Sequence, residues 1–137
     1  MIKCKMDGVR IINIPKIEDS RGNLSFVENG SQLPFDIARS YWIYDVPGGS
    51  RRGGHAFRRN DEVIIALSGA LDVVVDNGQE RQVFSLTRSF YGLYVPHGIW
   101  REMRNFTTNS VALILSSIEY DESDYIFDYE LFKSHMQ

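Results

Sequence analysis

Residues 49–69 read GSRRGGHAFRRNDEVIIALSG, in which Gly49, His55, Phe57, Glu62 and Gly69 punctuate a run that turns apolar and β-branched at Val63-Ile64-Ile65. A second punctuated stretch follows at Pro96-His97-Gly98, with Arg101 and Asn105 behind it. Around both, short apolar and aromatic runs separated by turn residues predict strands over 9–14, 24–28, 37–46, 53–59, 62–68, 70–76, 81–86, 90–95, 99–106 and 111–118. Strands this short and regular predict a sandwich or barrel. Asp76-Asn77-Gly78 predicts a tight hairpin between its flanking runs, because Asn-Gly supplies positive φ angles. Past Tyr120, the acids Asp121, Glu122 and Asp124 precede the bases Lys133 and His135, the order a helix dipole favours, so one C-terminal helix is expected there.

A chain of 137 residues, 43% hydrophobic and 12% aromatic, can bury one core. Without an internal repeat or a long linker, residues 1–137 read as a single domain. Its 15 Lys and Arg against 18 Asp and Glu, with no basic block, lack the field that nonspecific nucleic-acid binding requires. Cys4 is the only cysteine, which excludes an internal disulfide framework and a Cys-rich zinc site and fits a reducing compartment. The start of the chain is too polar for a signal peptide, and no apolar run is long enough for a bilayer. A soluble, cytoplasmic protein is expected, with neither nucleic acid nor membrane as a partner.

The spacing of the two punctuated stretches is similar to that of the paired cupin motifs. The first cupin motif carries a glycine, a His-x-His pair, a glutamate and a glycine; the second carries proline, glycine, histidine and asparagine. The resemblance implies an all-β cupin jelly-roll barrel, RmlC-like, with the short helix at its C-terminal end. A metal-binding cupin offers three histidines and a glutamate to one cation. Here His55 and Glu62 keep two of those places, while Phe57 and Arg101 take the others. Phenylalanine has no lone pair to give and arginine stays cationic, so neither a metal nor another cofactor is expected.

Strand alternation decides which side chains can meet. If His55 points inward, Gly53 and Phe57 share its face; Ile99, Arg101 and Met103 form another row, and Arg39, Tyr41 and Ile43 a third. His55, Arg101, Glu62 and Tyr41 would then converge in a mostly apolar cavity, a small-molecule site.

Four further stretches narrow the family: Asp19-Ser20-Arg21-Gly22-Asn23-Leu24, Arg52-Gly53-Gly54-His55-Ala56, Tyr91-Gly92-Leu93-Tyr94-Val95-Pro96 with Ile99-Trp100, and Tyr120-Asp121-Glu122-Ser123-Asp124-Tyr125-Ile126. Over nearly the whole chain they resemble the WxcM-like sugar-nucleotide cupins, whose studied members are TDP-4-keto-6-deoxyglucose 3,4-ketoisomerases. The resemblance implies a metal-independent homodimer acting on a nucleotide-sugar substrate, TDP-linked, and moving its ketone from C4 to C3 on the way to amino sugars of surface polysaccharides. His55 matches the first histidine of the family's His-Ala-His stretch. Phe57 replaces the second, and Arg101 replaces a histidine that members often carry in a Trp-His-Glu-Met stretch. Either another group here takes the second histidine's task or the reaction differs.

Such a shift removes the C3 proton, passes through an enediol or enediolate, and returns a proton to C4. It therefore needs a base, an acid and a group to hold the oxyanion. A neutral imidazole suits the first task, which points to His55. Arg101 would stabilise the enediolate or simply pair with Glu62, and Tyr41 would relay a proton or pack at the cavity edge. Glu62 would orient His55. Arg51, Arg52, Arg58 and Arg59 cluster beside the first motif, and one or two of them would read the diphosphate. Arg39, Arg52, Phe57, Arg58, Glu62 and Trp100 are the expected substrate contacts, with Phe57 as cavity wall or as a platform for a sugar or base. Two alternatives stand beside the isomerase: a noncatalytic sugar-nucleotide-binding cupin, and a related epimerase. Cyclic symmetry and the apolar stretch 9–14 suit a homodimer.

Overall fold

The strand runs take up one antiparallel arrangement in the computed structural model, which describes residues 8–135. In chain order they are β1 (Arg10–Asn13), β2 (Lys16–Ile17), β3 (Leu24–Ser25), β4 (Arg39–Tyr44), β5 (Arg52–Phe57), β6 (Glu62–Ser68), β7 (Leu71–Asp76), β8 (Arg81–Leu86), β9 (Tyr91–Val95), β10 (Trp100–Arg104), β11 (Val111–Ser116) and β12 (Tyr125–Ile126), followed by helix α1 (Tyr129–His135). One sheet runs β1-β9-β6-β11-β4, the other β12-β5-β10-β7-β8, and β2 pairs with β3 apart from both. The two larger sheets face each other as a jelly-roll sandwich, the all-β class that the cupin resemblance implied.

Ile64, Ala66, Leu93 and Ile114 of the first sheet meet Val73, Val75 and Met103 of the second in the shared core. The opposite face of β6 is covered too, since Val63 and Ile65 lie under Ile14 and Leu33 with Val27, Phe35 and Ile37. Burial on both sides explains why β6 reads as an unbroken apolar run rather than an alternating one. On the outer face of the second sheet, Ala56, Trp100 and Ile126 of its own strands pack with Phe132 of α1. Burying a side chain such as Phe132 is worth about 1.5–3 kcal/mol. Tyr129 adds a polar fastening there, donating to Asp76 Oδ2 at 2.7 Å, a carboxylate that also takes Arg81. Among the described residues no helix is long and apolar enough to cross a membrane. Cys4 and the polar start of the chain lie outside the described residues.

Three expectations need correction. The β7–β8 connection is a four-residue loop, with Gly78 (φ 94°) the one position there in the left-handed region. Asn77 closes it instead through its side chain, whose Oδ1 accepts the Gln79 and Glu80 amides at 2.8 Å. The run 24–28 pairs only as Leu24–Ser25. The acids after Tyr120 do not begin a helix. Asp121 caps a single 3₁₀ turn (Glu122–Asp124), and the Asp124 carboxylate accepts the distant amides of Arg59 (2.8 Å) and Asn60 (3.0 Å). The chain then extends as β12 against β5, and α1 starts only after Asp128, whose Oδ1 accepts the Glu130 amide at 2.9 Å.

Candidate active site

The β5–β10 pairing sets Arg101 opposite His55 and slips out of register between Arg101 and Met103. Gly53 lies in that irregular stretch at φ 75°, and a Cβ there would overlap Arg101 Nη1. The missing side chain lets Arg101 Nη1 donate to the Gly53 carbonyl at 3.0 Å. Arg101 Nε and Nη2 both donate to Glu62 Oε1, at 3.0 and 2.7 Å, and Nη2 also donates to Tyr41 Oη at 3.0 Å. Arg101 and Glu62 are each only 1% exposed, so each charge depends on the other for its solvation. One N–H of Nη1 remains uncommitted on a side chain that lines the cavity.

Glu62 is fully used by this network. Its Oε2 accepts the Tyr41 hydroxyl at 2.5 Å and the Ser116 hydroxyl at 3.4 Å. Burial pushes the Tyr41 hydroxyl well above the ordinary phenol range, so it stays protonated. The expected Glu62–His55 contact is absent. Arg101, with a longer reach and five donors, takes the carboxylate that was expected to orient the imidazole.

His55 is 8% exposed, and its Nε2 is buried without a hydrogen-bond partner among the described residues. Its ring meets Phe57 edge-on at 4.8 Å, Tyr125 at 4.9 Å and Phe127 at 5.8 Å. Burial among these rings, then the positive charges of Arg101 and Arg39, push its pKa down to about 2. The imidazole is therefore neutral, with one nitrogen left unsatisfied. An orphaned polar atom of this kind costs about 1–3 kcal/mol, which a bound molecule would recover.

These groups surround a cavity of about 390 Å³ lined by Tyr41, Arg52, Gly53, His55, Arg101 and Tyr125, with Trp42 and Phe127 at its edge. Arg52 is exposed there and, among the described residues, has no hydrogen bond or ion pair. Arg39 sits behind Tyr41 with its guanidinium 4.9 Å from that ring, and its Nη2 donates to Tyr125 Oη at 3.5 Å. Phe57 is buried behind His55 and, like Glu62 and Arg39, stands behind the cavity lining rather than in it, because His55, Arg101 and Tyr41 come between. Of the expected substrate contacts, Arg52 alone lines the cavity. Trp100 and Arg58 lie farther off still. Trp100 falls on the opposite face of β10 from Arg101, packed on Tyr129 and Phe132, because neighbouring strand residues point to opposite sides. Arg58 is exposed and lies within 3.2 Å of His135 Nε2, outside the cavity. Arg51 and Arg59 are engaged by Glu102 and Asp121, and His97 pairs with Asp61 at 2.8 Å on the surface.

Tyr125 and Phe127 were not anticipated, because the segment that carries them reads as the start of a helix. The signal that could have found them is the period-two pattern Tyr125-Ile126-Phe127. The two aromatic rings stack at 5.1 Å on one side, and Ile126 enters the core on the other.

The residues present do not fit the metal of a metal-binding cupin. A guanidinium occupies the carboxylate that would be a ligand, and Phe57 has no donor atom. No step of the chemistry is assigned to a metal.

A family model described as FdtA, WxcM-like, C-terminal, matches residues 7–137. The TDP-4-oxo-6-deoxy-alpha-D-glucose-3,4-oxoisomerase of Aneurinibacillus thermoaerophilus is 39% identical over 127 residues, 93% of this chain and 91% of that protein. The crystal structure of a 3,4-ketoisomerase from Helicobacter canadensis superposes with a TM-score of 0.92 at 36% identity, covering 96% of this chain and 98% of that one. The sugar 3,4-ketoisomerase QdtA from Thermoanaerobacterium thermosaccharolyticum, in complex with TDP, superposes with a TM-score of 0.94 at 33% identity, covering 96% of each.

Proposed function

The chain belongs to the family of FdtA, WxcM-like C-terminal domains, and from that membership we propose that it is an isomerase, a TDP-4-keto-6-deoxyhexose 3,4-ketoisomerase of deoxysugar biosynthesis. The observation that carries the reading is His55 Nε2, on a neutral imidazole and unpartnered among the described residues, buried beside a cavity that holds an arginine N–H to spare. In this reaction His55 takes the proton from C3 of the sugar as the C4 carbonyl becomes the enediol oxygen, and then returns it to C4. One imidazole serves both carbons when the two C–H bonds present the same face. The free Nη1 hydrogen of Arg101, on a guanidinium itself buried, supports the oxyanion.

Arg52 at the rim reads the diphosphate, being the one arginine of its cluster without a competing partner. The diphosphate carries negative charge toward the guanidiniums that suppress protonation of His55. Substrate binding thereby raises the proton affinity of the base when it is needed.

We assign the working form as a homodimer in the cytoplasm, where a reducing environment suits a lone cysteine. The dimer face is a second depression of about 620 Å³, on the outer side of the first sheet, lined by Trp42, Tyr44, Leu67, Val111 and Leu113. Trp42 and Tyr44 are 58% and 60% exposed, an apolar patch of the kind that twofold pairing covers. A Trp42→Lys variant that sediments as a monomer where the parent sediments as a dimer would support this face; a parent that is monomeric would remove it.

The reaction is tested by mixing the protein with TDP-4-keto-6-deoxyglucose in deuterated water and following the sugar protons by NMR. Conversion to the 3-keto sugar with loss of the C3 signal, abolished by His55→Asn, is the expected result. No exchange, with a raised melting temperature on adding the nucleotide sugar, would favour the noncatalytic binding protein instead.

A further inference from the structure

Arg52 enters β5 from the turn Pro47-Gly48-Gly49-Ser50, which the Ser50 amide closes by donating to the Pro47 carbonyl at 3.1 Å. The turn stands off from the sheets, since a Cβ on Gly48 or Gly49 would meet nothing within 4 Å. Such a turn does little to fix the direction of the arginines that follow it. Successive residues of an extended chain point to opposite sides, and Arg51 and Arg52 part in this way. Arg52 lines the cavity, while Arg51 reaches Glu102 on the outer face of the second sheet.

Glu102 is the firmer half of that contact, its side chain 17% exposed against 66% for Arg51. It follows Arg101 on β10 and faces away from the cavity, with its Oε2 accepting the Trp100 indole N–H at 3.1 Å. Its Oε1 is buried and has no hydrogen-bond partner among the described residues. Arg51 Nη1 lies 3.9 Å from that oxygen, too far for a hydrogen bond, so charge draws the two together. Arg81, another guanidinium in the field of Glu102, is held by Asp76 at 2.9 Å. Arg51 is thus left to answer the buried oxygen.

Resting on the ketoisomerase reading with Arg52 at the diphosphate, we infer that Glu102 is a positioning residue for the substrate, anchoring Arg51 and thereby aiming Arg52 into the cavity. Glu102 touches no substrate atom. A guanidinium already aimed loses less freedom when the diphosphate arrives, and the gain falls on affinity rather than on the proton transfers. Because Arg51 is largely in water, the anchor is modest and weakens with salt.

The test measures TDP affinity by calorimetry, kcat and KM on TDP-4-keto-6-deoxyglucose, and melting temperature. It compares the parent with Glu102→Gln, Arg51→Gln, Arg51→Lys, Arg52→Gln and the double variant Glu102→Gln with Arg52→Gln. Glu102→Gln keeps an oxygen for the Trp100 indole and removes the charge. At low salt, Glu102→Gln and Arg51→Gln should each weaken TDP binding and raise KM about two- to fivefold, with kcat and melting temperature near those of the parent. Arg51→Lys keeps the charge and should bind TDP as the parent does. In the Arg52→Gln background, Glu102→Gln should weaken TDP binding no further, because the residue it acts through is gone. Parent-like TDP affinity in Glu102→Gln, or an undiminished loss in the Arg52→Gln background, would overturn the inference and leave the ketoisomerase intact. Parent-like TDP affinity in Arg52→Gln would overturn it as well. A parent protein that neither binds TDP nor converts the keto sugar would overturn both.

Discussion

His55 and Arg101 stand directly opposite each other across β5 and β10, yet exchange no hydrogen bond. The guanidinium turns its donors to Glu62, Tyr41 and Gly53 and presents only charge to the imidazole. Burial among the aromatic rings, with the charges of Arg101 and Arg39 added to it, holds the imidazole neutral, and the charge it faces makes it responsive to an anion. TDP binding should therefore raise the His55 pKa from its low free value, and histidine NMR titrations with and without TDP will measure the change. A rise of at least about one unit corresponds to about 1.4 kcal/mol of coupling with the ligand. A titration that TDP leaves unmoved would contradict the electrostatic argument.

Stability should carry the same signature. The folded-state pKa of His55 lies near 2, far below the roughly 6.5 of an unfolded histidine, so below about pH 6.5 the unfolded chain binds a proton that the folded chain refuses. Its contribution is present above pH 6.5 and falls away as the pH drops from there toward the folded value, at up to about 1.4 kcal/mol per pH unit. Urea unfolding from pH 7 to 5 should show a shallower decline for His55→Asn than for the parent.

The Arg101–Glu62 pair should be costly to break and cheap to replace. Arg101→Met alone leaves a buried carboxylate without its partner and should lose about 3–5 kcal/mol of stability. The double variant Arg101→Met with Glu62→Leu should recover most of that loss and remain without turnover. Denaturant melts and the isomerase assay together separate the two effects.

Gly53 should tolerate no side chain. Gly53→Ala places a Cβ against Arg101 Nη1 at a left-handed backbone position, with an expected cost of about 1–3 kcal/mol. The displaced guanidinium should reduce kcat more than TDP affinity, a split that steady-state kinetics and calorimetry will register.

The convergence of His55, Arg101, Glu62 and Tyr41 was legible in the sequence because strand periodicity leaves each inward row no choice of face. What periodicity does not decide is which neighbour a buried group takes. Glu62 had His55, Arg101 and Tyr41 within reach, and the stronger, more numerous donors won it. Tyr125 was hidden for a different reason. Asp121 and Asp124 read locally as helix starters, while their distant partners, the Arg59 side chain and the amides of Arg59 and Asn60, come from the loop between β5 and β6. Trp100 and Arg58 were placed with the substrate by proximity to the motifs, and the pleat and α1 turn them away from it.

The segment that follows Asp121 brings Tyr125 and Phe127 to the cavity and is fastened by Phe132 in the core and Tyr129 on Asp76. These are among the last described residues to leave the ribosome, after both large sheets have their other strands. A nascent chain that has reached only β11 thus has the His55 imidazole but not the Tyr125 and Phe127 rings that shield it, so the drying of this pocket waits on a segment far along the sequence from the strand that carries the histidine.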